Sequence, residues 1–248
     1  MSDTNESPRI QGDTGAVEFN VHPTIEDDAI ESLMHLIDKG ALITPSEFYS
    51  LISETVIRWA NDRGLIGRNR GRQMDRKAFD LIRNFLVIIK ANKGSCVVKC
   101  APENLPPFML AQFIAAEHCV VLVGEETDEV AKMPLMRYHT SGRFKGTYRE
   151  VTEREGVYEL LAPYTRMMNR YLVSEVYAQL RSLAPMVAEC TEPHLVPVGN
   201  GIYNVETRTL EAFSPDRVYL TKCMTAYNPN AVSPIRTLKD GSPWEFNS

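Results

Sequence analysis

Residues 133–151 read MPLMRYHTSGRFKGTYREV, which is typical of two β-strands joined by a turn at Ser141-Gly142. Just upstream, Cys119–Val123 is a short apolar run of the kind that forms a buried strand. Apolar residues have helical spacing before this region and again over residues 153–183, where a break is expected near Arg170. The sequence therefore predicts an α+β protein that contains a small mixed α/β module.

In the part of the chain before this module, the spacing of apolar residues predicts three helices, over residues 24–40, 44–64 and 74–91. The first two begin at a threonine that can cap the helix, and the second has proline at its first helical position. Between the second and third helices, residues 64–72 read GLIGRNRGR, and this composition predicts a glycine–arginine loop.

These patterns predict four segments along the chain. They are a disordered acidic leader over 1–23, a helical region with the glycine–arginine loop over 24–92, a winged-helix-like mixed α/β module over 93–190, and a β-hairpin and extended linker over 191–248. Within the module, Cys96–Cys100 predicts a strand and Phe108–His118 a helix.

Composition favours a soluble cytoplasmic protein with no membrane partner. Of the 248 residues, 44% are hydrophobic and 24% are charged, and no apolar run reaches the ~18 residues of a membrane span. The five cysteines are scattered, which favours a reducing compartment. A net charge of −5 argues against a protein that coats nucleic acid, but it leaves room for a local basic site.

No catalytic motif is evident, so the sequence predicts no catalytic residue, no metal ligand and no cofactor. The chain lacks the Walker A, GxGxxG, GxSxG and HExxH patterns. Cys96, Cys100, His118 and Cys119 lack the pairwise spacing of a zinc site, and buried cysteines are the favoured interpretation. Whether the chain is an enzyme stays open.

Two basic segments are candidates for contact with nucleic-acid backbone, because arginine and lysine neutralise phosphate and aromatic rings stack on bases. The candidates are Arg68, Arg70, Arg72, Arg76 and Lys77 in the first segment, and Arg143, Lys145, Arg149, Tyr138, Phe144 and Tyr148 in the second. For the first segment, the alternatives are a solvated surface loop or pairing with the acidic leader. For the second, the alternative is a hairpin whose aromatic residues pack into the core.

The tail, residues 191–248, contains the most distinctive sequence motifs. Residues 197–210 read PVGNGIYNVETRTL, which predicts a hairpin, and a Ser-Pro-Asp turn and another extended stretch follow. The residues that define this linker are Asn200, Gly201, Pro215, Asp216, Tyr219 and Pro229.

This order of motifs resembles the phage and plasmid primase–helicase family, which is related to poxvirus primase–helicases. The resemblance is close over about 35 residues of the tail, looser from Leu135 to Leu180, and absent over residues 1–130. It implies an N-terminal module and linker that precede a superfamily 3 helicase domain, which residues 240–246 would approach. The motor would lie beyond Ser248, so the chain would be a truncated or natural fragment, and ATP and Mg²⁺ would belong to that missing domain alone.

The resemblance and the basic segments together predict a non-catalytic module of a replicative primase–helicase. Such a module would contact single- or double-stranded DNA through its backbone, assemble as a homo-oligomeric ring and position the motor. A primase or another replication protein is a further possible partner. Two alternatives stay open: an interaction module that does not bind DNA, and a divergent metal-dependent primase or nuclease within residues 24–130.

Overall fold

The computed structural model describes residues 24–125 and 129–231 of the chain. The predicted acidic leader and the predicted approach to a helicase domain lie outside these residues. The described part contains six α-helices, which are α1 (Ile25–Asp38), α2 (Pro45–Asp62), α3 (Gly67–Ala91), α4 (Pro107–Glu117), α5 (Glu155–Leu161) and α6 (Arg170–Leu183). It also contains seven short strands in two sheets, so the α+β prediction is confirmed.

The first two helices begin as their sequences predict. The side chains of Thr24 and Thr44 each accept a hydrogen bond from the backbone N–H three residues on, and the backbone N–H of each threonine donates to the acidic side chain of that residue. The second of these acids is Glu47, and its bonds to Thr44 hold the pKa of the Glu47 carboxyl below its usual value. Local sequence is therefore sufficient to fix both helix starts.

The start of α3 differs from the prediction. The glycine–arginine loop predicted over residues 64–72 is wrong from Gly67 onward, because α3 already includes these residues. Ile66 gives the helix no side-chain cap, but the backbone N–H of Gly67 donates to Glu117 Oε1 at the end of α4, at 3.2 Å. A tertiary contact thus replaces the local cap that the sequence lacks.

The larger sheet has four strands in the order β3 (Tyr148–Glu150), β2 (Leu135–Tyr138), β1 (Val120–Val123) and β4 (Met186–Val187). The predicted hairpin is present as the antiparallel pair β2–β3, but β2 also pairs with β1. The hairpin is therefore part of a larger sheet, and it does not stand free as the wing of a winged helix. Strand β4 runs parallel to β1 after the crossover through α5 and α6.

The larger sheet is covered on both faces, which explains why all four residues of β1 are buried. Val120 and Leu122 belong to the main core, which the helices build, and α4 packs along α6 there. Val121 and Val123 face the other way and pack in a cluster with Val218 of the tail. The molecule thus has three layers, which are the helices, the sheet and the tail.

The tail forms its own small sheet. Its three antiparallel strands are β5 (Leu195–Val198), β6 (Gly201–Asn204) and β7 (Thr209–Glu211), so the predicted hairpin is confirmed and a further strand is added by β5. Residues 218–219 then cross the larger sheet, where their carbonyl oxygens accept hydrogen bonds from Cys190 N and Tyr148 N. The domain boundaries predicted near residues 93 and 190 stay predictions. The second falls between the larger sheet and the tail, which pack against each other in one apolar cluster.

The strand predicted over Cys96–Cys100 is wrong. Cys96 makes one isolated parallel bridge with Ile43, and no strand forms around it. A run that contains β-branched residues needs a neighbouring strand along its length, and here it meets only a single residue of the α1–α2 connection. Among the residues described, no helix is both long and apolar enough to cross a membrane.

Candidate nucleic-acid interface

The loop of the β2–β3 hairpin, residues 139–147, is closed by its own hydrogen bonds. The N–H of Gly146 donates to His139 O at 2.7 Å, and the N–H of His139 donates to Thr147 O at 3.0 Å. Gly146 has a φ of +84°, which side chains rarely tolerate, and this lets the chain turn back into β3. The loop therefore presents its tip in one defined shape.

Four exposed side chains form a basic and aromatic group that we call the hairpin cluster: Arg143, Phe144 and Lys145 from the loop and Arg149 from β3. The guanidinium carbon of Arg149 lies 4.6 Å from the centroid of the Phe144 ring, and that of Arg143 lies 5.8 Å from it. Within residues 24–125 and 129–231, none of the three basic side chains forms an ion pair. The cluster thus offers two unpaired guanidinium groups near one aromatic ring that is 38% exposed, with Lys145 next to it in sequence.

The two tyrosines predicted beside this cluster are placed differently. Tyr148 is only 1% exposed, and its hydroxyl donates to Pro215 O at 2.6 Å and lies 3.3 Å from Cys119 Sγ. Burial raises the pKa of Tyr148 above its usual value. Tyr138 is half-buried, with its ring centroid 5.3 Å from that of Tyr148. Stacking of a base on Tyr148 is therefore excluded by its burial, and Phe144 is the most exposed of the three rings.

The basic residues of the first segment fall on different faces of helix α3, so some are exposed and others are buried. Arg68, Arg72 and Arg76 are spaced by four residues, lie on one face of α3 and are exposed; we call them the α3 row. Lys77 is mostly buried, forms an ion pair with Glu26 and lies 5.7 Å from the Trp59 ring centroid. Lys77 is therefore occupied within the fold, whereas the α3 row faces solvent.

Arg70 has a structural role, and the prediction of a solvent-facing loop arginine is wrong for it. The residue is 6% exposed, and its guanidinium donates to Asn61 Oδ1 at 2.8 Å and to Leu65 O at 3.0 Å. Its Nε lies 3.9 Å from Oε2 of Glu117, the carboxylate that also accepts from the Tyr164 hydroxyl. Arg70 thus joins the α2–α3 turn to α4 and to the loop after α5.

The tail holds the hairpin loop from the side opposite to its tip. The ring of Phe213 packs on Gly146, where an added Cβ would lie 2.1 Å from Phe213 Cδ1. Lys222 Nζ donates to Lys145 O at 2.6 Å and lies 5.0 Å from the Phe213 ring centroid, and loss of solvent lowers the pKa of Lys222. These contacts fix the hairpin cluster relative to the tail.

The predicted linker residues are mostly structural. The Asn200 side chain exchanges two hydrogen bonds with the Tyr227 backbone, at 2.8 and 3.0 Å. Gly201 does not have a positive φ. Its surroundings have no room for a side chain, however, because an added Cβ would lie 2.4 Å from Glu211 O. Asp216 accepts from the Ser214 hydroxyl at 2.7 Å, and Tyr219 is buried. Pro229 is exposed.

Comparison with known families adds one match, which covers most of β2, the whole of β3, α5, α6 and the tail. Residues 136–244 match the family described as D5 N terminal like. The predicted resemblance to phage and poxvirus primase–helicases is therefore confirmed for this segment. The D5 N-terminal-like segment contains the whole hairpin cluster, whereas the α3 row lies upstream of it. No curated protein was found to match the chain.

Sequence reasoning missed the residues that hold the site in place. Phe213, Lys222, Glu117 and Tyr164 act through contacts with residues more than 40 positions away, for which the sequence carries no local signal. The α3 row did carry a signal, since its spacing of four residues is that of one helix face. Among the described residues, no group of three or more histidines, cysteines or acidic residues could hold a metal ion.

Proposed function

We propose that this chain is a DNA-contacting and assembly module of a replicative primase–helicase, and that the hairpin cluster binds the nucleic-acid backbone. The observation that carries the proposal is the exposed Phe144 ring with the guanidinium groups of Arg143 and Arg149 near it, neither of which pairs with a carboxylate of residues 24–125 or 129–231. Membership of residues 136–244 in the D5 N-terminal-like family supports the replication context.

The chemistry of the cluster suits backbone contact without reading of sequence. Guanidinium groups donate paired hydrogen bonds to phosphate oxygens, and an exposed phenylalanine stacks on any unpaired base. The Lys145 ammonium group adds a third positive charge on the same loop. The cluster is small, so one copy would bind weakly, and a ring of copies would join the clusters into a continuous basic track.

The contacts between tail and hairpin support a role in positioning the motor. Phe213 and Lys222 hold the loop that carries the cluster, and the tail belongs to the D5 N-terminal-like segment. A superfamily 3 ATPase domain that followed this tail would be held at a fixed distance from DNA bound at the cluster. ATP and Mg²⁺ would serve that domain, and a primase or another replication protein is a further partner in this proposal.

Fluorescence anisotropy with labelled single- and double-stranded DNA, over about 50–300 mM salt, tests the proposal. The parent is expected to bind with an affinity that falls steeply as salt rises. Arg143→Ala and Arg149→Ala should each weaken binding by the same factor on DNA of unrelated sequences. Each should also reduce the slope of log affinity against log salt concentration by about one. Phe144→Leu should weaken binding to single strands more than to duplex, because only unpaired bases stack on the ring.

Arg83→Ala is the matched control, since Arg83 is exposed on α3 and pairs with Asp80 at 3.5 Å. It should bind DNA as the parent does. Equal binding by the parent and by both hairpin variants would show that the cluster is not the contact. Absence of binding at the lowest salt would instead favour the interaction module that does not touch DNA.

A further inference from the structure

A groove lies beside the α3 row, between α3 and the loop that joins α5 to α6. Its volume is about 450 Å³, within the range of sites for small ligands. Three arginines line it: Arg72 and Arg76 from α3, and Arg166 from the loop. We call it the arginine groove. It is separate from the hairpin cluster, with which it shares no lining residue.

The arginines of this groove are not held in ion pairs by the described residues, although Asp75 and Glu103 also line the groove. Within the part of the chain that the structure describes, none of the three forms an ion pair or donates a side-chain hydrogen bond. Arg72 and Arg76 also repel each other, because like charges at a spacing of four residues are neighbours on one helix face. The fold therefore tolerates an unfavourable charge arrangement that an anion in the groove would relieve.

The backbone just before Arg166 is held in place by contacts of Pro163 and Tyr164. Pro163 packs so closely on Gly71 that an added Cβ on the glycine would lie 2.6 Å from Pro163 Cβ. The hydroxyl of buried Tyr164 donates to Glu117 and contacts Phe113 O at 3.3 Å. The backbone two residues before Arg166 is thus anchored to α3 and α4, so the third arginine is set opposite the other two.

The remaining lining fits the organic part of a ligand rather than a bare ion. Phe79, Leu105 and Met167 supply apolar surface next to the arginines, and Met167 is 69% exposed. The carboxylates of Asp75 and Glu103 also line the groove and can accept hydrogen bonds from amino groups. Burial raises the pKa of Asp75, and the positive charge of Arg76 partly opposes this rise.

We infer that the arginine groove binds a nucleoside phosphate, with phosphate oxygens on Arg72, Arg76 and Arg166 and the base against Phe79 and Met167. The same chemistry is offered by a free nucleotide and by a nucleotide within a single strand. The inference does not depend on the hairpin cluster, because its residues and its ligand contacts are separate.

Isothermal titration calorimetry at low salt tests the inference with three probes: a nucleoside triphosphate, inorganic phosphate and a short single-stranded oligonucleotide. We expect the triphosphate or the oligonucleotide to bind, and Arg166→Ala and Arg72→Ala each to weaken that binding at least tenfold. Both side chains are exposed, so thermal unfolding of these variants should match that of the parent. Arg83→Ala, on the same helix but outside the groove, should bind as the parent does.

The outcomes separate the two sources and can overturn the inference. Binding of the triphosphate indicates a free nucleotide, whereas binding of the oligonucleotide alone indicates a nucleotide within a strand. Parental affinity in both groove variants, equal affinity for inorganic phosphate and the triphosphate, or no binding of any probe would each contradict it. Since the triphosphate titration contains no DNA, its failure leaves the hairpin proposal standing, and failure of the hairpin variants leaves this one standing.

Discussion

Residues 64–76 and residues 139–149 have similar compositions and different structures. Both are rich in glycine and basic residues, and both were predicted to contact phosphate, the first from a loop that enters a helix and the second from a β-hairpin. The first segment is largely helical and buries its central Arg70, whereas the second forms a loop and the start of β3 and keeps its basic residues in solvent. The difference shows that glycine and arginine content does not decide exposure, because tertiary contacts at Gly71 and Gly146 select helix in one case and loop in the other.

The largest expected effect is at Gly146, where the loop depends on the absence of a side chain. Gly146→Ala should lower the free energy of unfolding by roughly 3–4 kcal/mol, because it adds strain at positive φ to a collision with the Phe213 ring. Chemical denaturation measures this change.

Gly142→Ala is the matched control in the same loop. Gly142 also has a positive φ but has no atom within 4 Å of an added Cβ, so the cost should be only about 1 kcal/mol of backbone strain. Equal losses at the two glycines would mean that the packing of Phe213 on the loop is not important for stability.

The second largest effect on stability is expected at Arg70, the buried arginine of residues 64–76. Arg70→Ala should destabilise the fold by about 2–3 kcal/mol, since it leaves Asn61 Oδ1 and Leu65 O without their donor and removes the cation near Glu117. Arg68→Ala, two residues away and exposed, should change stability by no more than about 0.5 kcal/mol. If the two variants unfold at the same denaturant concentration, Arg70 is not a structural residue.

The smallest effect separates Tyr148 from Tyr138 at the base of the hairpin. Tyr148→Phe should cost about 1 kcal/mol, because it removes the hydroxyl that donates to Pro215 O. Tyr138→Phe should cost less than about 0.5 kcal/mol, since no hydrogen bond of its hydroxyl is seen among the described residues. A larger loss for Tyr138 than for Tyr148 would contradict the contact between hairpin and tail.

Much of the fold follows from local sequence. The starts of α1 and α2 are fixed by capping residues within one turn. The β2–β3 hairpin was also predicted, but a loop over residues 139–147 joins its strands instead of a tight turn at Ser141-Gly142. The errors lie where distant contacts override local preference. Residues 67–72 are helical because Glu117 caps them and Pro163 packs on Gly71, and Cys96–Cys100 has no partner strand.

The candidate site was predictable in its residue types but not in their exposure. Tyr148 and Arg149 are neighbours on β3 and face opposite sides of the sheet, and Tyr148 is buried because its side packs against the tail. Likewise, the helical phase of α3 exposes Arg68 and Arg72 and buries Arg70 between them. A sequence pattern shows which residues share one face of a helix or strand, but the packing of neighbouring elements decides which face is buried.

The covering of the four-stranded sheet by the tail has a consequence for biosynthesis. The cluster of Val121, Met136 and Tyr148 is completed only when Val218 is synthesised, about 70–100 residues later in translation. Until then, the outer face of the sheet is wet and its apolar residues are accessible to other nascent chains. Premature termination between residues 190 and 218 would therefore yield an aggregating product, so the tail acts as the closing step of folding.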